Sequence, residues 1–239
     1  MQLTYTILFF VFTGLLSYLI GSIPTAKIIA SSHGVDITKE GSKNAGGTNV
    51  GRVIGKKAGI LTMFLDAAKC YLPCLVVFLL LTFAPMDLIS FPYRTELAIS
   101  ISGLSVALGH SFPIYSHFKG GKCVACFAGF VFFTSPLIFV IGASTFFLVY
   151  HLKKRVSLAS LIGAPTTLLL YVVPMALDLV YGEQLYNGGV YFAPYCRLHL
   201  SFVTTITVFL FVSLIVIRHR TNIQRLEKGT EPETHFKKD

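Results

Sequence analysis

Charge is scarce in this chain. Only 13% of its 239 residues are Asp, Glu, Lys or Arg, against roughly 25% in an ordinary soluble domain, while 54% are hydrophobic. Together with a mean hydropathy of +0.69, that shortage excludes a soluble globular protein. Carboxylates are the scarcer sign: 11 Asp and Glu stand against 20 Lys and Arg, a formal net charge of +9. So few acids argue against a magnesium cage and against a carboxylate-pair hydrolase. The five cysteines are an odd number, and no pair has zinc-ligand spacing with a matching second pair. Cys123 and Cys126 form a lone C-x-x-C whose small apolar neighbours fit helix packing better than redox or metal chemistry. No metal and no cofactor is implied.

What is present in quantity is apolar sequence, in runs of about 20 residues that each suffice to cross a bilayer. The expected class is an all-α integral membrane protein, a single domain over residues 1–239. Candidate spans are Leu3 to Ala30, Ala58 to Ala84, Thr95 to Phe112, Gly121 to Thr134, Pro136 to Tyr150, Val156 to Tyr181 and Leu198 to Ile217. The first run lacks a basic flank and a small-residue cleavage site, so it reads as a retained span. Gly121 to Tyr150 could be one helix of about 30 residues or two short ones broken at Thr134-Ser135-Pro136. Apart from Arg94 and Arg197, every Lys and Arg lies in or beside four places. These are Lys27 to Lys69, the loop with Lys119 and Lys122, the cluster Lys153-Lys154-Arg155, and the tail from Arg218. Positive residues favour the cytoplasmic side, and a break near Pro136 puts all four there. About seven transmembrane helices follow, with the N-terminus outside and the C-terminus cytoplasmic. The basic balance is thereby explained by membrane orientation, and nucleic acid is not implied. Gly182 to Arg197 reads as an outer surface loop or hairpin, and the polar tail is expected to fray after Glu231.

Four inner segments carry donors. "GSKNAGGTNVGR" places Gly41, Ser42, Asn44, Gly46, Gly47, Thr48, Asn49 and Arg52 together. Glycines let backbone N–H groups turn to an anion, hydroxyls and amides add neutral donors, and arginine adds a bidentate fork. The same composition also suits a flexible inside-positive loop, and no G-x-x-x-x-G-K-[ST] can be written in it. "GHSFPIYSHFKGGKCVA" carries His110, His117, Lys119, Gly120, Gly121 and Lys122. It opens a helix, where phosphate gains from free N–H groups, though lysines there also serve as plain membrane anchors and histidines as structural hydrogen-bonders. "KKRVSLAS" sets Ser157 and Ser160 three apart on one helix face, as donors to an anion or as caps. "RHRTNIQRLEKGTE" follows the last span and could equally be a basic stop sequence. Together these residues point to anionic ligands at a membrane's inner rim. H-x-x-x-x-D, the signature of another large glycerolipid acyltransferase group, is absent, and so are the spaced aspartates of CDP-alcohol transferases.

Three of these segments in this order resemble the bacterial acyl-phosphate:glycerol-3-phosphate acyltransferases, the PlsY family. "GSIPTAKII" with "GSKNAGGTNVGRVIG" looks like its first motif region, "GHSFPIYSHFKGGKCVA" its second and "TNIQRLEKGTE" its third, with "VSLAS" similar to a further segment. Departures are confined to single positions: Lys43 for a usual glycine, Gly47 for alanine, Cys123 for glycine and Cys126 for threonine. The resemblance implies about seven helices in the bacterial inner (cytoplasmic) membrane and an active site facing the cytoplasm. It also implies acyl transfer from a fatty acyl phosphate to the sn-1 hydroxyl of glycerol 3-phosphate. The products are lysophosphatidic acid and phosphate, the first acylation of phospholipid synthesis, and a separate enzyme supplies the acyl phosphate.

On that resemblance Ser42, Arg52, Lys122, His219 and Asn222 are expected to be catalytic. Gly41, Asn44, Gly46, Thr48, Asn49, His110, Lys119, Gly120, Gly121, Ser157, Ser160, Arg218, Arg225 and Glu231 are expected to bind substrate. Ser42, Asn44, Thr48, Asn49 and Arg52 would hold the acyl phosphate, and Lys119 to Lys122 would line the glycerol 3-phosphate site. No serine-histidine-acid order is evident, so direct attack by the substrate hydroxyl is favoured over an acyl-enzyme. The proton would pass to the departing phosphate, with His110 or His219 as the alternative base. The competing class is a transporter or flippase with a cytoplasmic phosphate site; its binding groups would sit near the midplane, where this chain has few ionisable residues.

Overall fold

A computed structural model describes residues 2–83, 93–181 and 202–237, with no strand among them. In hydrocarbon no water satisfies the backbone, so each apolar run must close its hydrogen bonds within itself as a helix. The elements are α1 (Gln2–Gly21), α2 (Thr25–Ser32), α3 (Gly47–Val53), α4 (Lys56–Phe83), α5 (Arg94–Ser111), α6 (Val124–Thr134), α7 (Pro136–Lys153), α8 (Val156–Tyr181), α9 (Phe202–Arg218) and α10 (Arg220–Glu227). Five described helical segments are long and apolar enough to cross a membrane: Leu3–Ser32, Lys56–Phe83, Arg94–Ser116, Pro136–Lys153 and Val156–Ala176. The pair α9 and α10, bent by 60°, makes a sixth. The 11-residue α6 reaches only about 16 Å, roughly half a bilayer core, so it is apolar but short.

The break expected near Pro136 is present. Proline cannot donate, and at the first helical position no donor is needed. Ser135 adopts extended backbone between the two helices, and its side chain accepts from Ile138 N at 3.4 Å. The outer segment Gly182 to Arg197 lies outside the described residues.

Helices in a membrane gain little from burying apolar groups against each other, so contact depends on close backbone approach. α1 meets α5 through Gly21 and Gly109: a Cβ on Gly21 would overlap Val106 O, and one on Gly109 would overlap Tyr18 O. Ser17 and Ser102 hydrogen-bond across the same interface at 2.9 Å. The core between α4, α5, α6, α8 and α9 is aromatic, with Phe130 stacked on Phe211 at 4.9 Å. Tyr171 hydroxyl meets Thr134 Oγ1 at 2.6 Å. A second, small core of Ala26, Ala30, Ile37 and Val50 holds the α2–α3 region together.

The tail departs from expectation. Instead of fraying after Glu231, residues 231–237 run across the polar end of the bundle. Lys237 N donates to Gly51 O at 3.0 Å, Lys56 N to Lys237 O at 3.2 Å, and Thr234 N to Lys154 O at 2.6 Å. Backbone pairing of this kind needs no apolar side chain, so composition does not announce it.

Candidate active site

The loop ahead of α3 is built on Asn49, which is 1% exposed. Its amide nitrogen donates to Ile37 O at 3.1 Å and Glu40 O at 3.0 Å, and its Oδ1 accepts from Ser42 N at 2.8 Å. Both donor hydrogens of the amide are thereby used. Asn49 folds the loop and places Ser42, its amide groups being used within the loop. Two residues where the sequence departs from glycine, Lys43 and Cys123, have φ of 57° and 66°. That left-handed region is one glycine enters without cost. Arg52, in the last turn of α3, donates from Nη2 to Thr234 Oγ1 at 2.8 Å.

The glycine pair after α5 is shaped by His110 and Arg218. Gly121 N donates to His110 O at 3.0 Å, and a Cβ on Gly121 would overlap His110 Nε2. Arg218 donates from Nε to Gly121 O at 3.1 Å and from Nη2 to Gly120 O at 2.9 Å, with its guanidinium 5.2 Å from the Phe112 ring centroid. Below this turn lies a buried ionic cluster. Asp66 and Lys69, three apart on α4, pair at 2.8 Å, and His110 Nδ1 at 3.4 Å and Thr25 Oγ1 at 2.5 Å join the same carboxylate oxygen. His110 is thus held on Asp66 through Nδ1, while the Nε2 side of its ring packs against Gly121.

Glu231 is the hub of the remaining segments. Its Oε1 accepts from Ser157 Oγ at 2.6 Å and Asn222 Nδ2 at 2.7 Å, and its Oε2 from Arg225 Nε at 2.7 Å. Asn222 Oδ1 in turn accepts from Lys122 Nζ at 2.6 Å. Burial would raise the Glu231 carboxyl, but the bonds from Ser157, Arg225 and Asn222 hold it below the ordinary range, so it is ionised. Burial pushes Lys122 down to about 8; Glu231 opposes this, and Arg225, Arg52 and Arg218 add to it. His219, pressed by burial and then by Lys122, falls to about 4 and is neutral near pH 7. Its Nδ1 lies 2.8 Å from Ile215 O. A carbonyl only accepts, so Nδ1 carries the proton and Nε2 is left as an acceptor.

A cavity of about 1050 Å³ opens among these segments. Its polar wall carries Gly41, Ser42, Asn44, Gly46, Thr48, Asn49, Arg52, Lys122, Ser157, Ser160, His219, Asn222, Arg225 and Glu231. Its other wall is apolar, from Phe127 and Val131 on α6, Phe139, Ala143 and Phe146 on α7, and Ala164 on α8. One space therefore offers cations and hydroxyls at one end and hydrocarbon contact at the other, the profile of a phosphate-bearing amphiphile.

Not every expected residue reaches this space. Lys119 is exposed, and Lys119, Gly120 and Gly121 border a separate small cavity near Ile23 to Lys27, while His110 borders both. Arg218 lies outside the large cavity, spent on the glycine carbonyls. The correction has one cause: the glycine turn is packed against His110, so Lys122 is the member of that motif at the cavity. Ser160 donates to Val156 O at 2.8 Å and Ser157 to Glu231, so neither hydroxyl proton points to an anion as the chain stands. Thr234, which holds Arg52, and Tyr150 and Phe236, which line the cavity, were not foreseen. No spacing or composition in the tail marks them.

The glycerol-3-phosphate acyltransferase family matches residues 11–229. A glycerol-3-phosphate acyltransferase of Macrococcus caseolyticus is 35% identical over 227 residues, covering 94% of this chain and 96% of that one. One of Desulfotalea psychrophila is 36% identical over 217 residues, covering 91% and 94%. Among solved structures, the fold is similar to a crystal structure of PlsY (YgiH), an integral membrane glycerol 3-phosphate acyltransferase, in its glycerol 3-phosphate form. The TM-score is 0.73 at 30% identity, over 95% of this chain and 96% of that one. A lysophosphatidic acid form of PlsY gives 0.70 at 30% identity, over 94% of each.

Proposed function

The chain belongs to the glycerol-3-phosphate acyltransferase family, and on that premise we propose that it moves a fatty acyl group from acyl phosphate to the sn-1 hydroxyl of glycerol 3-phosphate. The products are lysophosphatidic acid and inorganic phosphate. The observation that carries this is the joined cavity: Arg52, Lys122 and Arg225 at one end and the phenylalanines of α6 and α7 at the other. Both substrates bring phosphate to the first end, and the acyl chain lies along the second. Arg52, Lys122 and Arg225 meet the phosphate charge at the first end.

An acyl phosphate is already activated, so positioning and neutralisation of the leaving phosphate supply most of the catalysis. Arg52 and the Ser42–Thr48 loop hold the leaving phosphate. Lys122, tied by Asn222 to Glu231, meets the phosphate of the acceptor. The acceptor hydroxyl hydrogen-bonds to His219 Nε2 and attacks the carbonyl carbon; the carbon–oxygen bond to phosphate breaks, and the proton passes to the departing phosphate. A histidine so hard to protonate orients the hydroxyl better than it stores the proton. His110, held on Asp66 through Nδ1 and packed against Gly121, takes no part in this.

In this reading α6, tucked among its neighbours, is the seventh crossing. The N-terminus lies outside, and the C-terminus and the site face the cytoplasm of a bacterial inner membrane, where a separate enzyme makes the acyl phosphate. The test is phosphate release by the purified protein in detergent with acyl phosphate and glycerol 3-phosphate, with acyl-CoA and acyl carrier protein as alternative donors. Release only with acyl phosphate is expected; transfer from a thioester alone overturns the donor. A labelled acyl group surviving denaturation on the protein overturns direct transfer.

A further inference from the structure

We propose that the C-terminal segment Glu231–Lys237 is a built part of the phosphate site, with Thr234 the residue that positions the Arg52 guanidinium. The inference rests on the acyl-transfer reading, and the whole of this segment lies beyond the residues that the family matches, 11–229.

Five contacts fix the segment. Thr234 N donates to Lys154 O at 2.6 Å, and Thr234 O accepts from Tyr150 hydroxyl at 3.4 Å, so the residue is pinned to the end of α7 and the turn before α8. Lys237 pairs with Gly51 and Lys56 through its backbone. Phe236 lies on Gly51, where a Cβ would come within 2.5 Å of its ring. The same Phe236 lines the large cavity.

Thr234 is 2% exposed, and its hydroxyl oxygen accepts from Arg52 Nη2 at 2.8 Å and from Val156 N at 3.4 Å. A guanidinium has five N–H donors in a fixed plane. Holding one of them on a buried oxygen sets the direction of the rest, which is what bidentate recognition of phosphate requires. Arg52 sits on a seven-residue helix at the end of a glycine-rich loop. Without an external brace, a long side chain on so short an element keeps most of its rotamer freedom. Thr234 supplies that brace from the far end of the chain, and Glu231, three residues earlier, holds Ser157 and Asn222 in the same way. The tail thereby sets the spacing between the Arg52 side of the cavity and the Lys122 side.

Thr234→Val keeps shape and removes the hydroxyl; Thr234→Ser keeps the hydroxyl. Phosphate release is measured against each substrate in turn, and inhibition by inorganic phosphate is measured alongside. Thr234→Val is expected to raise the KM of the acyl phosphate and the phosphate inhibition constant about tenfold each, while kcat falls less and melting in detergent changes little. Thr234→Ser is expected to restore both. In an Arg52→Ala background Thr234→Val should add nothing, because the two act as one unit. Unchanged constants in Thr234→Val, or full additivity with Arg52→Ala, overturn the inference. A serine variant no better than valine also overturns it, since packing alone would then explain the residue. If wild type releases no phosphate from these substrates, the acyl-transfer reading fails, and stabilisation by inorganic phosphate against melting still compares Thr234 with Val.

Discussion

Exchanging Glu231 for glutamine keeps the side chain's length and removes its charge at the hub of the site. Lys122 Nζ lies 2.6 Å from Asn222 Oδ1, and Asn222 Nδ2 lies 2.7 Å from Glu231 Oε1. Ammonium and carboxylate are therefore about 7 Å apart through one amide, an attraction of roughly 2 kcal/mol at an effective dielectric of about 20. The mouth is partly solvated, which reduces this to about one pKa unit. Lys122 stands at about 8 because burial disfavours its charge while Glu231 favours it. Removing the negative neighbour favours the neutral amine, so the sign is downward, to about 7. At pH 6 both proteins then carry a largely charged Lys122, whereas at pH 8 about half of the wild type and a tenth of the variant do. The ratio of variant to wild-type phosphate release should fall about fivefold between pH 6 and pH 8, on top of a constant loss from the weakened bonds to Ser157 and Arg225. Titration of the substrates is common to both proteins and drops out of the ratio. A ratio that stays flat over this range in folded protein would refute the electrostatic link.

Three further substitutions are informative. Arg52→Ala should lower turnover by about 100-fold with the melting temperature retained, as expected for loss of a donor to developing negative charge, and unchanged turnover would remove Arg52 from the site. Asn49→Ala abolishes three buried hydrogen bonds and should cost about 2–3 kcal/mol, seen as a lower melting temperature with turnover lost in parallel; a normal melt would show that the loop holds itself. Lys43→Gly relieves an exposed left-handed residue and, after the added freedom of the unfolded chain is offset, should stabilise by about 0.5–1 kcal/mol; a lower melting temperature would place the lysine side chain in a contact of its own.

The legible part of this molecule is the part governed by local rules. Apolar run length locates the long helices, and the distribution of Lys and Arg selects a break at Ser135–Pro136 over a single helix. Donor-rich loops between apolar runs identify the polar end, because lipid excludes such residues elsewhere. Individual roles are another matter. Asn44 and Asn49 look alike in sequence and both border the cavity, yet Asn49 has its amide consumed by Ile37, Glu40 and Ser42. His110 and His219 both follow an apolar run. His110 meets Asp66 through Nδ1 with its ring packed on Gly121, whereas α9 offers its own carbonyl to Nδ1 of His219 and leaves Nε2 as an acceptor. The tail is the extreme case: its register is set by Gly51, Lys56 and Lys154, far off in the chain.

The charge arrangement explains why so many loops are needed. Arg52, Lys122 and Arg225 approach one another around a single carboxylate, Glu231, and Lys122 is depressed first by burial and then by the neighbouring arginines. Two cations remain uncompensated, which matches one phosphate dianion. Placing them on one helix would let the helix relax away from the repulsion by turning side chains outward. Placing them on α3, in the glycine turn ahead of α6 and on α10 means that relief requires separating packed elements, which the backbone pairing of Lys237 with Gly51 and the Glu231 bonds to Ser157 and Asn222 oppose. The excess positive charge is thus held in place by the fold, ready for an anion. On this argument the polar tail is the element that keeps the repulsion from opening the site.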